Sequence, residues 1–414
     1  MASRSRHVVI VVGSLVGLIA GNLLHRMGWD VSVFEKADGV RDGRGAGITV
    51  LPGLVEGLQA AGVDITEKNL GVTIPKRVVL DRAGAIIAER PFPQVMTSWR
   101  LLFDLLMSVF PGDRYHGGVA VHRVELTAEK AIAHFDGGGR IDADLIIGAD
   151  GFRSTVRRQL LPEVKPSYAG YIAWRCLADE SEFSAPVQAE LFNSYSLCLV
   201  PGEQVIAYPV PGPDQSFATG RRQCNVVWYH PVNETEELQD LLTDASGRYH
   251  PNGIAPALIR PQLRDRMMAL AAETLAPQFS EAIRRSRLVF FQPIADLESP
   301  RMVFGRAVII GDAAFTARPH VAMGVPKGAG DVLALVRALS RDGASPAAAL
   351  ADFETERLRI DSAITNRGTY LGSYMEAQNK SPEARRDAEE RRVPETVMME
   401  TAAYVDYDRT SATS

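Results

Sequence analysis

The chain has 414 residues, too many for one ordinary core, and its 46% hydrophobic and 23% charged content is that of a folded globular protein. Forty-five basic residues stand against fifty acidic ones for a net charge of −5, with no basic block to neutralise a phosphate backbone, so a nucleic-acid partner is not expected. Cys176, Cys198 and Cys224 are odd in number and lack C-x-x-C spacing, which suits a reducing, cytoplasmic compartment and offers neither a zinc site nor a disulfide frame.

In chain order, His7 to Val12 reads as a strand, followed by a glycine turn, a helix from Gly17 to Met27 and a second strand from Asp30 to Glu35. That βαβ beginning favours a parallel sheet. The run His7 to Leu24 is apolar enough to suggest a membrane span. Gly13, Ser14, Gly17, Gly21 and Asn22 interrupt it, however, and a span needs about 20 apolar residues. No membrane association is expected. A glycine-rich loop, Gly43 to Gly47, precedes a helix from Pro52 to Ala61, and Lys76 to Glu89 reads as a hairpin turning at Ala83-Gly84. Leu101 to Phe110 is an apolar helix. A hairpin turning at Asp136 to Gly139 then leads into the strand Asp144 to Ile147.

From about Tyr168 the texture changes to short strand-like runs at 171–174, 196–200, 205–210 and 225–229, punctuated by proline and glycine. This composition predicts a largely antiparallel sheet in a separate domain. Arg301 to Ile310 reads as one buried strand, and Asp331 to Leu339 and Pro346 to Thr369 as amphipathic helices, the second with Ser345 as N-cap. The last forty or so residues carry Arg385-Arg386 and Glu389-Glu390-Arg391-Arg392, which predict a solvated helix and a frayed tail.

Three motifs carry chemistry. Val12-Gly13-Ser14-Leu15-Val16-Gly17 occupies the register of a G-x-G-x-x-G turn, in which glycines let the backbone approach a pyrophosphate seated on the next helix. Val12 and Ser14 depart from it. Glu35, at the end of the second strand, is placed to accept ribose hydroxyls. Gly148-Ala149-Asp150-Gly151 follows an apolar strand and opens a helix, with Arg153 and Arg157 behind it. Gly311-Asp312-Ala313-Ala314 follows another strand, with Pro319-His320 and Gly324 close behind.

In this order and spacing, the three motifs resemble the group A flavoprotein aromatic hydroxylases, of the p-hydroxybenzoate hydroxylase type, from about residue 7 to 370. The resemblance implies an α/β protein with a Rossmann-like (GR2-type) FAD-binding domain, a mostly antiparallel-sheet substrate domain and C-terminal helices. Residues 1–75, 101–165 and 296–375 would build the FAD-binding domain. Residues 76–100 would lend a hairpin to the substrate domain of 166–295, and 376–414 would form the charged tail. FAD would be bound non-covalently, with NADH or NADPH and O2 as co-substrates and no metal. Carried over, Gly13, Ser14, Gly17, Glu35 and its neighbour Lys36 would serve the adenosine half of FAD. Asp312 would take its ribityl or ribose hydroxyls, and Pro319 to Gly324 would lie near the flavin. Asp150 belongs to the motif that family shares between FAD and nicotinamide. Arg44, in the glycine-rich loop, and Arg100, at the start of a helix, occupy places where family members bring arginines to the cofactor.

Narrower stretches, among them Thr97-Ser98-Trp99, Tyr168 to Arg175, Ile206 to Pro209 and Arg318-Pro319-His320, resemble the 2,6-dihydroxypyridine 3-hydroxylase branch. The implied reaction is hydroxylation of a small aromatic or pyridine-type ring by a flavin hydroperoxide, the protein excluding water and favouring the ionised substrate hydroxyl. His320 is the candidate to share that proton, with Tyr208 as a second catalytic candidate. Tyr171, Trp228 and Arg318 are candidates for the pocket. Trp228 and Tyr229 must face opposite sides of their strand, so only one can line a given cavity. A salicylate- or benzoate-type phenolic hydroxylase and a catalytically silent FAD-binding protein stay open as alternatives, as does a homodimer. A flavin halogenase is disfavoured because Trp-x-Trp-x-Ile-Pro is absent.

Overall fold

The computed structural model describes residues 6–38, 47–66, 69–341 and 346–407; Arg44, most of its glycine-rich loop and the expected N-cap Ser345 lie outside them. Strand His7–Val11, helix Leu15–Arg26 and strand Asp30–Glu35 form the opening βαβ unit. Every residue from Val8 to Val11 is buried, as a central parallel strand covered on both faces requires. The sheet runs 303–304, 307–309, 145–148, 7–11, 30–35, 115–117 in spatial order, parallel except at the 303–304 edge. The single strand expected over 301–310 is instead two short antiparallel strands, Val303–Phe304 and Ala307–Ile309, turning at Gly305 with φ 62°. Only glycine takes that turn without strain. Helix Gly324–Leu339 begins seven residues earlier than the Asp331 start expected, and helix Pro346–Ala377 runs past Thr369.

The second sheet has nine strands in the spatial order 315–316, 288–298, 167–179, 223–231, 204–210, 194–198, 72–80, 86–98, 47–49. All pairs are antiparallel except 194–198 with 72–80. Period-two alternation sorts its side chains. Ile172, Trp174, Cys176 and Trp228 pack under helices Pro261–Thr274 and Pro277–Arg285. Tyr171, Ala173, Tyr195, Tyr208 and Tyr229 share the other face with Met375, Met398 and Ala402 from the C-terminal part of the chain.

The frayed tail is corrected. Short helices Pro382–Glu390 and Pro394–Glu400 follow the long one, and Met398, Thr401 and Ala402 are buried. The charges of 383–391 crowd the solvent side, Arg392 turns inward to the carbonyls of Val200 and Glu203, and the apolar residues behind them close over the sheet. Among the described residues no helix is long and apolar enough to cross a membrane. All three cysteines are buried and unpaired.

Candidate functional site

The three sequence motifs meet at the carboxyl ends of the adjacent strands 307–309, 145–148 and 7–11 of the parallel sheet. A Cβ on Gly17 would lie 2.1 Å from the Val12 carbonyl oxygen, so this helix seats against its strand only with glycine there. A Cβ on Gly13 would strike the Tyr115 ring at 2.3 Å, and Tyr115 donates its hydroxyl to the Gly13 carbonyl at 3.2 Å. Val16, one turn on, sits where Cβ atoms on Gly311 and Gly328 would meet its side chain at 3.4 and 2.4 Å. The Gly311 turn reaches the Gly148 strand through Ile310 N–H to the Gly148 carbonyl at 3.0 Å. Buried Arg157 clamps the same junction, donating to the carbonyls of Ala313 at 2.9 Å and Phe152 at 2.7 Å.

Two helices begin at this junction with their first N–H groups free of side-chain caps and with no acid in the first turn: Leu15–Arg26 behind Ser14, and Gly324–Leu339 behind Met323. Uncapped N-termini carry partial positive charge and bind phosphate or electron-rich oxygens. Glu35 is buried at the end of its strand, its Oε1 accepting from Ala37 N–H at 2.9 Å, with Lys36 exposed beside it. These features fit the adenosine and pyrophosphate of FAD. Asp150 is largely committed: its carboxylate takes the Ser154 hydroxyl at 2.5 Å and the N–H groups of Thr155 and Val156 at 2.6 and 3.2 Å, capping the helix Thr155–Leu160. Burial pushes Asp150 and Asp312 above the usual carboxylate range, with those hydrogen bonds opposing for Asp150 and Lys327 opposing for Asp312.

Beneath Asp312 lies a buried charge network that sequence reasoning missed. Asp331 accepts from Gly311 N–H at 2.8 Å and from Arg357 Nε at 2.7 Å, and Arg357 Nη2 donates to Asp361 at 2.6 Å. Lys327 Nζ lies 3.6 Å from Asp331 and 3.8 Å from Asp361. All four side chains are buried. The signal was present as Lys327/Asp331 and Arg357/Asp361, two i,i+4 pairs in the two amphipathic helices.

The turn Pro319–Val321 carries His320 against the aromatic face of the second sheet. His320 Nε2 lies 2.9 Å from the Tyr171 hydroxyl, and the Tyr229 ring is 4.1 Å from the imidazole, centroid to centroid. Burial, with the Arg318 and Arg175 charges behind it, lowers the imidazole pKa to about 3, so the ring is neutral throughout the physiological range. Burial likewise pushes the phenols of Tyr171, Tyr195, Tyr208 and Tyr229 up. Arg318 is paired twice, with Asp296 (Nη2 2.6 Å, Nε 2.9 Å) and Glu376 (2.8 Å). Arg175, cross-strand from Val227 on the same face, has a buried Nε without a partner, as have His320 Nδ1, Arg318 Nη1 and Asn225 Nδ2. Orphaned polar atoms in an otherwise aromatic wall are what a small polar ring would satisfy.

Several expectations are corrected. Trp228 faces the helix-covered side, donating its indole N–H to Glu203 at 2.6 Å, and Tyr229 is the member of the pair on the aromatic face. The Tyr208 hydroxyl is committed to the Gly47 carbonyl at 3.0 Å, which makes it a link between the sheet and the end of the glycine-rich loop. Arg100 lies on the surface in an i,i+4 pair with Asp104 at 2.7 Å. Gly324 opens its helix with free space around its α-carbon, and Pro319 opens the turn before it.

A parallel sheet whose glycine turns abut an aromatic antiparallel wall defines an α/β flavoprotein. The FAD binding domain-like family model matches residues 168–296. The chain is similar to 2,6-dihydroxypyridine 3-monooxygenase of Paenarthrobacter nicotinovorans (29% identical, covering 91% of this chain and 93% of that protein). It is also similar to aurachin C monooxygenase/isomerase of Stigmatella aurantiaca (30% identical, 85% of each). The solved structure of 2,6-dihydroxypyridine-3-hydroxylase from Arthrobacter nicotinovorans superposes with a TM-score of 0.84 at 28% identity, over 92% of this chain and 95% of that one. The chain belongs to the FAD-dependent aromatic hydroxylase family of flavoprotein monooxygenases.

Proposed function

We propose that this enzyme hydroxylates a small ring bearing a hydroxyl group, with a pyridine-type ring favoured, using NADH or NADPH and O2. The observation that carries the reading is His320, a buried neutral imidazole with an unpartnered Nδ1, held between Tyr171 and Tyr229 at the junction of the two sheets. Bound FAD supplies the redox chemistry, activating dioxygen with electrons from the nicotinamide. The residues Gly13, Ser14, Gly17, Glu35, Asp312 and the 319–324 turn would hold it.

The protein's own part is placement and proton control. A ring lying on the Tyr171–Tyr229 wall would present its hydroxyl to His320 Nδ1. With a pKa near 3, His320 is a poor store for a proton, so it shares the hydroxyl hydrogen and does not retain it. The Arg175 guanidinium, whose buried Nε has no partner among the described residues, favours substrate that arrives already ionised, its hydroxyl proton left in the solvent. Tyr171, its own pKa raised, stays protonated and orients the imidazole. A benzoate-type substrate is the second reading, because Arg175 has no carboxylate partner among the described residues and would equally receive a substrate carboxylate. Three buried free thiols suit the cytoplasm, where we place the enzyme.

The test is stimulation of NADH and NADPH oxidation by 2,6-dihydroxypyridine and 6-hydroxynicotinate against 4-hydroxybenzoate and salicylate. Preferential stimulation by the pyridines supports the first reading. Stimulation by the benzoates alone selects the second.

A further inference from the structure

A buried guanidinium ordinarily faces a carboxylate. Arg77 does not. It is fully buried on strand Val72–Leu80, and among the described residues no acidic side chain pairs with it. Its Nε donates to Gln94 Oε1 at 2.8 Å, Nη1 to the carbonyls of Met398 and Thr401 at 2.6 Å each, and Nη2 to the carbonyl of Ala402 at 3.1 Å. Its guanidinium carbon lies 4.0 Å from the Phe92 ring centre and 5.1 Å from that of Tyr195. Burial lowers its pKa to about 10, the Tyr195 neighbour opposing. The charge is therefore held by carbonyl dipoles at and beyond the C-terminal end of helix Pro394–Glu400, where a cation is favoured.

The last of these carbonyls belongs to a residue with a second contact. Ala402 N–H donates to the His320 carbonyl oxygen at 2.7 Å. Ala402 has φ 50°, a left-handed conformation that alanine keeps only when its surroundings impose it. Arg77 thus takes three carbonyls of the C-terminal segment, beside the lesser contacts of Gln204 with Thr401 and Arg367 with Glu400, and that segment grips the backbone of the turn bearing the imidazole.

We propose that Arg77 is a positioning residue: by clamping 398–402 it holds His320, through Ala402 N–H, in register with Tyr171 and Tyr229. The inference rests on His320 standing at the substrate site, as proposed above. The ionisable groups around His320 are Tyr171 and Tyr229 from the sheet and Arg318 and Arg175, none of which Arg77 touches directly.

The experiment follows the imidazole itself, by NMR of histidine-labelled holoprotein, with the His320 signal assigned from His320→Gln. In the parent, His320 stays neutral and silent between pH 5 and 8. In Arg77→Met the loosened turn admits water, and the His320 titration moves up into that window with FAD content unchanged. Ala402→Pro, which removes the N–H and cannot take the φ of 50° found there, releases the segment while keeping Arg77 and gives the same change, and Arg77→Lys restores part of the parent behaviour. With 2,6-dihydroxypyridine as probe, both disruptive variants raise the ratio of hydrogen peroxide to hydroxylated product several-fold. An unchanged His320 titration in either disruptive variant overturns the proposal. If Arg77→Met fails to fold, Ala402→Pro decides alone. Absence of turnover with any ring would count against the proposed function, and the titration would still judge the clamp.

Discussion

Val12 stands where the dinucleotide turn usually has its first glycine, and its φ of 77° is a left-handed conformation that a β-branched residue adopts only under strain. Such strain costs about 1–3 kcal/mol, against roughly 0.5–1 kcal/mol for the extra freedom glycine brings to the unfolded chain. Val12→Gly is therefore expected to raise the melting temperature of the apoprotein and tighten FAD binding a few-fold, as read by flavin fluorescence titration. Weaker binding would mean that Val12 supports the turn. At His320 the expected defect is different. His320→Ala should leave FAD bound and its reduction intact while hydroxylation falls and peroxide rises, since a general proton-handling group contributes ~10²–10⁴-fold. An unchanged ratio of peroxide to product would assign His320 to the turn alone. The sequence made His320 visible through Arg318-Pro319-His320, and it stated that Trp228 and Tyr229 face opposite ways. Which of the two faces the site was not legible, because period-two alternation sorts residues into faces without saying which face the helices will cover.

Among the elements, the buried network joining helices Gly324–Leu339 and Pro346–Ala377 sets the height of the Gly311-Asp312 turn. Burial first, and then the neighbouring Asp331, raise the Asp361 pKa to about 7, with Lys327 and Arg357 opposing. Between the ordinary carboxylate value and that raised one, the folded protein holds a proton that the unfolded chain does not. Stability therefore falls as pH rises through this window. Asp361→Asn should flatten that slope between pH 5 and 7.5 in urea-unfolding measurements. A slope identical to the parent's would place the titration elsewhere. The opening βαβ unit was legible to within two or three residues because its signals are local: an apolar run, a glycine turn and a strand ending in an acid. The 301–310 hairpin was not, since Gly305 sits inside an apolar run that reads as one strand, and neither was the early start of helix Gly324–Leu339, since Gly324, Pro326, Gly328 and Gly330 break the helical pattern until Val16 packs against Gly328.

Over the whole molecule, two sheets and a C-terminal strap converge on one seam. The parallel sheet declared itself through three separated motifs, whose meeting is a property of its topology and so could be inferred from their order. The strap could not. Its charged helix looks like solvated surface, and the anchoring of 398–402 depends on residues distant in sequence, Arg77 and Gln204 on the sheet. The aromatic wall was partly visible as tyrosines on strands, whereas nothing in the pattern marked Arg175, whose unpartnered Nε is a product of the tertiary packing.

The proposed function has this flavoprotein transfer one atom of dioxygen to a hydroxylated ring held beside His320 and the aromatic face of the second sheet. It is tested most directly by turnover of the yellow holoprotein with 2,6-dihydroxypyridine and reduced nicotinamide under ¹⁸O₂, followed by mass spectrometry of the product. The expected result is a product carrying a single ¹⁸O atom, formed in step with nicotinamide oxidation and lost in His320→Ala while peroxide accumulates. Nicotinamide oxidation that no hydroxylated pyridine or benzoate accelerates, with no labelled product from any of them, would contradict it.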